Sequence, residues 1–324
     1  MFALLAISAA GAPLPSRAQR QNQQWRVGFV SAVTYLTSNS YEDAFLAGMK
    51  EYGYVVGRNL IVDRRFAEGN PARLPALVEE VIALKPDALL GTSAGVAIAM
   101  KSKTATLPIV MCTVSDAVGT GLAKSLARPG GNVTGLSLQL HELSAKHIEI
   151  ATEFLPQMRR AAVLTDASQP KMLSDGYERI ARNTAAAKGV ELAVHRVDNL
   201  GEIRKAIGLM GTTRADALLL NPSPRFNTLR GEICQAAMEI RLPIVGWEEV
   251  IAQAGGLLSY GPSFIEAYRR AAYYVDRIFK GAKPGDLPIE QPTKFSLVLN
   301  VKTAKVLGIK FPAPILLRAE RVIE

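Results

Sequence analysis

One run of small residues has the spacing of a catalytic nucleophile. Gly91-Thr92-Ser93-Ala94-Gly95 matches the pattern G-x-S-x-G, which in hydrolases places a serine on the turn between a strand and a helix. Asp166 and His195 follow in the order of such a triad. His195, however, lies inside the alternating run 190–197, which predicts a mid-strand position, whereas a catalytic base needs a loop beside the serine. A serine hydrolase using Ser93 is therefore the alternative, and we favour a turn whose hydroxyls and N–H groups contact a ligand.

The histidines do not predict a metal site. His141 and His147 are six positions apart, whereas two histidines that share one face of a zinc-binding helix are four apart. The chain also has no G-x-x-x-x-G-K-[ST] phosphate loop and no G-x-G-x-x-G after its first predicted strand. We therefore expect no metal ion and no cofactor, and the motifs do not indicate an enzyme.

Several predicted strands are followed by side chains suited to holding a small molecule. The carboxylates among them are Asp116, Asp166 and Glu248, and the aromatic residues are Tyr35, Tyr41 and Trp247. A carboxylate can pair with a ligand ammonium, and an aromatic ring offers a stacking face together with a hydroxyl or indole donor. Each residue alone is equally well explained as a solvated loop residue or a packing aromatic. Their occurrence in both halves of the chain favours a ligand site.

The elements that must position these residues occur twice. Residues 26–32 are echoed by 160–166, residues 86–93 by 215–222, and residues 107–111 by 242–246. Whole elements therefore recur in order about 130 residues apart. Because β-rich and helical runs alternate throughout, we expect two doubly wound α/β lobes, each a parallel sheet covered by helices, with a cleft between them.

The predicted elements run from residue 25 to the C-terminus. The first copy has strands at about 25–30, 60–66, 87–91, 108–113 and 133–137, and helices beginning near Ser40, Asn70, Ala94 and Gly119. The second has strands at about 160–165, 190–197, 216–220, 243–247 and 256–260, and helices near 142–154, 172–188, 201–211, 228–240 and 248–254. A helix capped by Ser263 and ending near 279, a strand at 294–300 and a helix at 302–307 follow. We assign 25–136 plus about 262–293 to lobe 1, and 137–261 plus about 294–324 to lobe 2.

The loops that follow the strands form the candidate site, because ligands bind at the carboxyl ends of parallel strands. These loops are rich in Ser, Thr, Asn, Asp, Gly or aromatic residues. They run over 31–41, 91–95, 114–119, 166–171, 221–226 and 247–248.

The bulk composition excludes several classes of protein. The chain has 324 residues, of which 48% are hydrophobic and 21% charged, which is typical of a globular protein and long enough for two cores. The net charge of +9 comes from scattered Lys and Arg without interleaved aromatic residues, so we expect no nucleic-acid partner. Cys112 and Cys234 are expected to be buried and unpaired.

Residues 1–18 have features of an export signal. The apolar run 2–12 is too short to span a bilayer, and the small residues Ser16 and Ala18 fit a cleavage site before Gln19. Because a basic N-terminal region is missing, we interpret this segment as a clipped signal peptide.

Short segments spread along the chain resemble the tryptophan/tyrosine-type substrate-binding proteins of bacterial ABC importers. They lie at 51–54 with 57–60, at 67–71, 126–135 and 258–262, and at 292–295 with Asn300 and 302–304. The resemblance covers nearly everything after the leader. It implies a type I periplasmic-binding-protein fold, in which a multi-strand hinge joins two lobes that close on a ligand. It also implies a periplasmic protein, which we expect to be a monomer, that delivers its ligand to an ABC permease in the inner membrane.

The resemblance further implies the contacts to the ligand. They would be Ser31, Thr92, Ser93 and Asp116 in the first lobe, and Asp166, Asn221, Trp247 and Glu248 in the second. The expected ligand is an aromatic amino acid or an aromatic carboxylate, its carboxylate held by N–H groups and hydroxyls and any ammonium by Asp166 or Asp116. If the ligand lacks an amine, these carboxylates should point elsewhere. A sugar-repressor-like regulator shares the core fold, but only about 25 residues precede the first strand, too few for a helix-turn-helix headpiece.

Overall fold

Strands and helices alternate along residues 24–324, which a computed structural model describes; the predicted signal peptide at 1–18 lies outside them. The strands are β1 (Trp25–Ser31), β2 (Leu60–Phe66), β3 (Ala88–Gly91), β4 (Ile109–Val114), β5 (Val133–Ser137), β6 (Arg160–Asp166), β7 (Glu191–Val197), β8 (Ala217–Leu220), β9 (Ile244–Gly246), β10 (Leu258–Gly261), β11 (Ser296–Asn300) and β12 (Arg321–Ile323). The helices are α1 (Tyr35–Glu51), α2 (Leu74–Ala83), α3 (Ala94–Lys103), α4 (Leu143–Phe154), α5 (Asp175–Ala187), α6 (Leu200–Thr212), α7 (Pro224–Thr228), α8 (Arg230–Glu239), α9 (Glu249–Gln253), α10 (Phe264–Phe279), α11 (Val301–Leu307) and α12 (Ala313–Arg318).

The two sheets repeat one topology. The first has the strand order β2-β1-β3-β4-β5, with every neighbouring pair parallel. The second has the order β12-β11-β10-β9-β8-β6-β7, in which the pair β10–β11 is antiparallel. Its part β7-β6-β8-β9-β10 reproduces the order of the first sheet. The repeated sequence is therefore a repeated α/β lobe, and the predicted two-lobed fold is confirmed.

Helices cover both faces of the first sheet because its strands are apolar on both sides. Phe29 and Leu90 pack against α1 and α10 on one face. Leu89 and Met111 pack against α2 and α3 on the other. The first sheet is thus buried between two layers of helices, and its loops extend from the ends of its strands.

Helix α10 returns the chain to the first lobe after β10. Ser263 begins the helix as predicted, since its Oγ accepts a hydrogen bond from the N–H of Glu266 at 3.2 Å. The helix packs along α1, and the chain then passes to the second sheet again as β11 and β12. Three passages therefore connect the sheets, and Glu290 links two of them by hydrogen bonds with Gly135 and Ser137. The residue limits assigned to the lobes stay a prediction.

Two local predictions are wrong, and two C-terminal elements were missed. Helix α1 begins at Tyr35 rather than near Ser40, because the Oγ of Thr34 accepts from the N–H of Thr37 at 3.2 Å and caps an earlier turn. No helix occurs between 115 and 132, where one was expected near Gly119, since loop hydrogen bonds occupy this segment instead. The C-terminal elements α12 and β12 were not predicted.

Two further features concern membrane spans and cysteines. Within residues 24–324, no helix is long and apolar enough to cross a membrane. Cys112 and Cys234 are both buried and free.

Candidate functional site

A cavity lies between the carboxyl ends of the two sheets, and residues of both lobes line it. The first lobe contributes the loops after β1, β3 and β4, together with side chains of α1 and α10. The second contributes the loops after β6, β8 and β9, together with α5 and α7. In each sheet the cavity lies where the strand order reverses, which is where ligands bind in open α/β sheets.

One corner of the cavity is the N-terminus of helix α3. Ser93 is the N-cap residue, and its Oγ accepts from the N–H of Val96 at 3.3 Å. Thr92 lies beside it, with its Oγ1 accepting from the N–H of Ala32 at 3.2 Å. The first N–H groups of a helix have no acceptor within the helix and carry a partial positive charge. This corner therefore suits a carboxylate.

A second corner has Tyr41 and Asn227 in its wall, and both bond to buried Glu248, which lies outside the wall. The hydroxyl of Tyr41 on α1 donates to Oε1 of Glu248, which follows β9 in the other lobe. Asn227 on α7 donates from Nδ2 to the other carboxylate oxygen, Oε2, at 3.0 Å. Burial raises the pKa of Glu248 to about 7, although the bond from Tyr41 and the charge of Arg230 oppose the rise. Burial also raises the pKa of Tyr41, so its hydroxyl keeps its proton.

Tyr177 on α5 lines the cavity, and its hydroxyl already donates its proton to His147. The Nε2 of buried His147 lies 2.8 Å from the carbonyl oxygen of Tyr260, so this nitrogen must donate. The Nδ1, 2.9 Å from the hydroxyl of Tyr177, must then accept from it. Burial lowers the pKa of His147 to about 4, which keeps the ring neutral. Tyr177 is left able only to accept a further hydrogen bond.

Aromatic rings from both lobes line the cavity. Tyr41 stacks on Tyr268 of α10, with ring centroids 5.2 Å apart and planes 20° apart, and Phe264 lies next to them. Trp247, which follows β9, lines the cavity from the second lobe. Flat aromatic surfaces contributed by two lobes favour a flat ligand.

His141 lines the cavity from the first passage between the sheets. Its Nδ1 is 3.2 Å from the Oγ of Ser115, which also accepts from the backbone N–H of His141 at 3.1 Å. These two bonds fix the ring against the loop that follows β4.

The structure places half of the predicted contact residues in the cavity wall. They are Tyr41, Thr92, Ser93, Asn221 and Trp247. The other five, which lie outside the wall, are Ser31, Tyr35, Asp116, Asp166 and Glu248.

Two of the residues outside the wall lie at or just after the end of β1. Ser31 is buried at the end of β1, where its Oγ accepts from the N–H of Val33 at 3.4 Å. Tyr35 was expected in a loop but begins helix α1, where it is exposed and packs edge-on against Phe66 with ring centroids 5.5 Å apart. Both side chains therefore serve local structure.

The predicted carboxylates are engaged by the protein itself. Asp116 accepts from the N–H groups of the two residues at 118 and 119 in its own loop, at 3.0 and 2.8 Å. Asp166 accepts from the hydroxyls of Ser168 at 2.6 Å and Ser223 at 2.7 Å, and lies 3.6 Å from Nε of Arg225. No Asp, Glu, Lys or Arg of residues 24–324 lines this cavity, but Asp166 and Arg225 line a smaller adjoining cavity that shares Ala32, Ser93, Gln169 and Pro224 with it. Glu248 reaches it only through Tyr41 and Asn227.

Several residues of the wall were not predicted from the sequence as ligand contacts. These are Thr113, Ser115, His141, Gln169, Tyr177, Ser223, Asn227, Phe264 and Tyr268. Three of them, at 115, 169 and 223, fall inside the predicted strand-end loops, so position alone could have identified them. Phe264 and Tyr268 of α10 pack in the core and also border the cavity.

The residues of the suggested triad do not come together. Ser93 belongs to the first lobe, whereas His195 lies in the middle of edge strand β7, paired with Leu164 of β6. His195 does not line the cavity, and Asp166 is bound by its own neighbours. Residues 24–324 contain no group of His, Cys, Asp and Glu side chains arranged to hold a metal ion.

Comparison with known proteins gives the same fold. A solved structure, a conserved domain protein from Vibrio cholerae, has a TM-score of 0.87 and 27% identity, covering 93% of this chain and 100% of that one. A domain from Streptococcus pneumoniae in complex with L-Trp has a TM-score of 0.86 and 23% identity over the same shares. A curated relative, the tyrosine-binding protein of Clostridioides difficile, is 24% identical over 291 residues, or 89% of this chain and 82% of that protein.

A family model tests the resemblance noted from the sequence. The model described as ABC transporter substrate binding protein matches residues 30–323, which is nearly all of the described chain. The predicted family is thereby confirmed. This chain belongs to the ABC transporter substrate-binding protein family.

Proposed function

We propose that this chain captures a small aromatic ligand bearing a carboxylate, either an aromatic amino acid or an aromatic acid, for an ABC importer. The observation that carries the proposal is the uncharged cavity, lined from both lobes by aromatic rings, hydroxyls and amides. The names of two similar proteins, one tyrosine-binding and one in complex with L-Trp, support an aromatic ligand.

The cavity suggests how such a ligand lies. Its ring packs between Trp247 and the stacked pair Tyr41 and Tyr268. Its carboxylate lies at the N-terminus of α3, where Thr92 and Ser93 provide hydroxyls beside the first N–H groups of the helix. Anion binding at this point needs no Lys or Arg.

Ligand capture works by closure of the two lobes. The cavity wall comes from both lobes, so the ligand makes its full set of contacts only when they are together. The bond between Tyr41 and Glu248 also joins the lobes and adds to the stability of the closed form. The three passages between the sheets provide the hinge.

The remaining assignments follow from family membership and the sequence. We propose that the chain is exported by the signal at 1–18, works in the periplasm as a monomer and delivers its ligand to a permease in the inner membrane. A nucleic-acid partner is not part of the proposal, because the Lys and Arg residues are scattered along the chain.

Native mass spectrometry followed by a thermal-shift panel tests the ligand class. The panel contains aromatic amino acids, aromatic acids and branched aliphatic amino acids. A ligand that binds only the folded protein raises its melting temperature, so we expect shifts with aromatic carboxylates and small or no shifts with the aliphatic set. A flat response across the panel would contradict the proposed ligand class.

We also propose that the chain performs no covalent chemistry. The Oγ of Ser93 caps a helix, and no histidine base is hydrogen-bonded to it among the described residues. Purified protein should therefore hydrolyse p-nitrophenyl esters no faster than its Ser93→Ala variant. Turnover that disappears with Ser93 would support the hydrolase alternative instead.

A further inference from the structure

We propose that Asn227 is a specificity-determining residue of the cavity and that Glu248 is the positioning residue that orients it. The inference rests on the proposed function, since it concerns the same cavity. In this arrangement Oδ1 of Asn227 accepts a hydrogen bond from a donor on the ligand, which can be an ammonium, a phenol hydroxyl or an indole N–H. Each of these groups is found on aromatic amino acids.

The first observation is an acceptor without a partner. Asn227 lines the cavity, and its side chain is buried. Its Nδ2 donates to Glu248 at 3.0 Å, yet its Oδ1 has no hydrogen-bond partner within residues 24–324. A buried amide oxygen without a donor is destabilising, so buried acceptors are almost always paired. A ligand in the cavity would supply the missing donor.

The second observation is that the neighbouring groups of the described residues do not supply this donor. The hydroxyl of Tyr41 is committed to the other oxygen of Glu248. Arg230 donates to the backbone carbonyl of Asn227 at 2.6 Å, and Glu249, next along the chain, pairs with Arg321 at the surface. Tyr268, the remaining titratable group close to Glu248, makes no hydrogen bond to Oδ1 of Asn227. The charged and titratable groups around the pair therefore leave Oδ1 open.

The orientation of the amide depends on the proton of Glu248. An ionised carboxylate can only accept, so Nδ2 must face it and Oδ1 must turn away. A protonated carboxyl can donate to Oδ1, which allows the amide to rotate and place Nδ2 where Oδ1 had been. The charge on Glu248 thus decides whether Asn227 offers an acceptor or a donor. Since burial raises the pKa of Glu248 to about 7, this choice falls near neutral pH.

The amide of Asn227 matters for recognition because no carboxylate of the described residues lines the cavity. Asp166 and Asp116 are bonded within their own lobes, and no acidic side chain of the described residues lines the cavity. Asn227 connects the cavity to a buried negative charge, as does Tyr41, which keeps a lone pair after donating to Glu248. A donor on the ligand is therefore recognised through the amide of Asn227 and not by direct ion pairing.

Matched ligand pairs that differ in one donor test the proposal by calorimetry. The ammonium pair is L-phenylalanine and 3-phenylpropionate, the phenol pair is L-tyrosine and its O-methyl ether, and the indole pair is L-tryptophan and its 1-methyl derivative. In the wild type we expect one pair to favour the donor-bearing member by about tenfold or more. In Asn227→Leu and Glu248→Gln that ratio should fall towards one, because Leu has no acceptor and Gln can donate to Oδ1. Glu239→Gln, at an exposed glutamate of α8 outside the cavity wall, is the matched control and should keep the wild-type ratio.

The pH profile of the ratio separates positioning from simple structural support. Between pH 5.5 and 7.5 the ratio should rise in the wild type, because Glu248 loses its proton through this range and fixes Oδ1 as an acceptor. The ratio should be independent of pH in Glu248→Gln. Using a ratio cancels any effect of pH on closure that both ligands of a pair share.

Each outcome tests the role of Asn227, the role of Glu248 or the proposed ligand class. Ligands that bind with ratios near one in all three pairs would overturn the role of Asn227 and leave the proposed function standing. A full ratio in Asn227→Leu would overturn it as well. A ratio that survives in Glu248→Gln, or that is independent of pH in the wild type, would overturn the role of Glu248. If no member of any pair binds the wild type, the proposed ligand class itself fails. Retained binding of the donor-free members shows that the variants are folded.

Discussion

Replacing Gly135 by alanine is expected to destabilise the protein by about 3 kcal/mol or more. Gly135 lies in β5 with a φ of +124°, a conformation that residues with a side chain rarely adopt. A Cβ atom there would lie 2.2 Å from the carbonyl oxygen of Met111 and 2.7 Å from its nitrogen. Both obstacles are backbone atoms of the neighbouring strand β4, so relief requires the strands to separate. Urea denaturation of the wild type and the variant measures the difference.

Gly131 provides the matched control for this substitution. It lies four residues earlier, and a Cβ atom there would meet no heavy atom within 4 Å. Gly131→Ala should therefore change the free energy of unfolding by less than about 0.5 kcal/mol. Equal stabilities of the two variants would contradict the close approach of β4 and β5 at Gly135.

Replacing Trp247 by alanine is expected to weaken the binding of an aromatic ligand by about 100-fold or more. The indole is buried and lines the cavity directly after β9. Its removal takes away one aromatic wall, and truncating a buried tryptophan that contacts a binding partner typically costs about 2–4 kcal/mol of binding free energy. About 2.7 kcal/mol corresponds to a factor of 100 in Kd. Calorimetry with the strongest aromatic carboxylate of the panel measures the effect.

Trp25→Ala separates loss of affinity from loss of stability. Trp25 begins β1 and stacks on Phe279, with ring centroids 4.3 Å apart and planes 9° apart, and it does not line the cavity. This variant also loses an aromatic contact, so its melting temperature should fall, while its Kd should stay within about threefold of the wild type. An equal loss of affinity in both variants would mean that Trp247 acts through stability and not through contact.

The fold was predictable from the sequence because its main signals are local and occur twice. The apolar runs that became β3 and β8 are flanked by turn residues in both copies, so their ends were located within a residue. The start of α1 was missed because Ser38, Asn39 and Ser40 are poor helix formers. Packing of α1 against α10, more than 200 residues later, stabilises the helix regardless. Contacts of that separation leave no mark on the local pattern.

The candidate site was predictable only as far as strand ends determine it. Thr92, Ser93 and Asn221 directly follow strands, so the sheets themselves bring them to one cleft. The same rule also selected Asp166, because it cannot tell where a side chain points. Its partners Ser223 and Arg225 are more than fifty residues away, and they engage the carboxylate next to the cavity instead of in its wall.

Ligand contacts that lie on helices could not be predicted from the positions of strand ends. Tyr177 and Asn227 lie within helices, and which face of a helix borders the cleft is decided by packing between elements. Neither residue type is unusual in such a position. The uncharged character of the cavity could therefore be recognised only in the folded chain.

The central claim, that an aromatic carboxylate binds between the lobes, is tested most directly by fluorescence of single-tryptophan variants. The chain has two tryptophans, so Trp25→Phe leaves only Trp247 in the cavity wall and Trp247→Phe leaves only Trp25. The probes are L-phenylalanine and benzoate, neither of which carries an indole. We predict a saturable change in the emission of Trp247 that follows the calorimetric binding curve, with the emission of Trp25 unchanged. Calorimetric binding that leaves the emission of Trp247 unchanged would place the ligand outside this cavity and contradict the account.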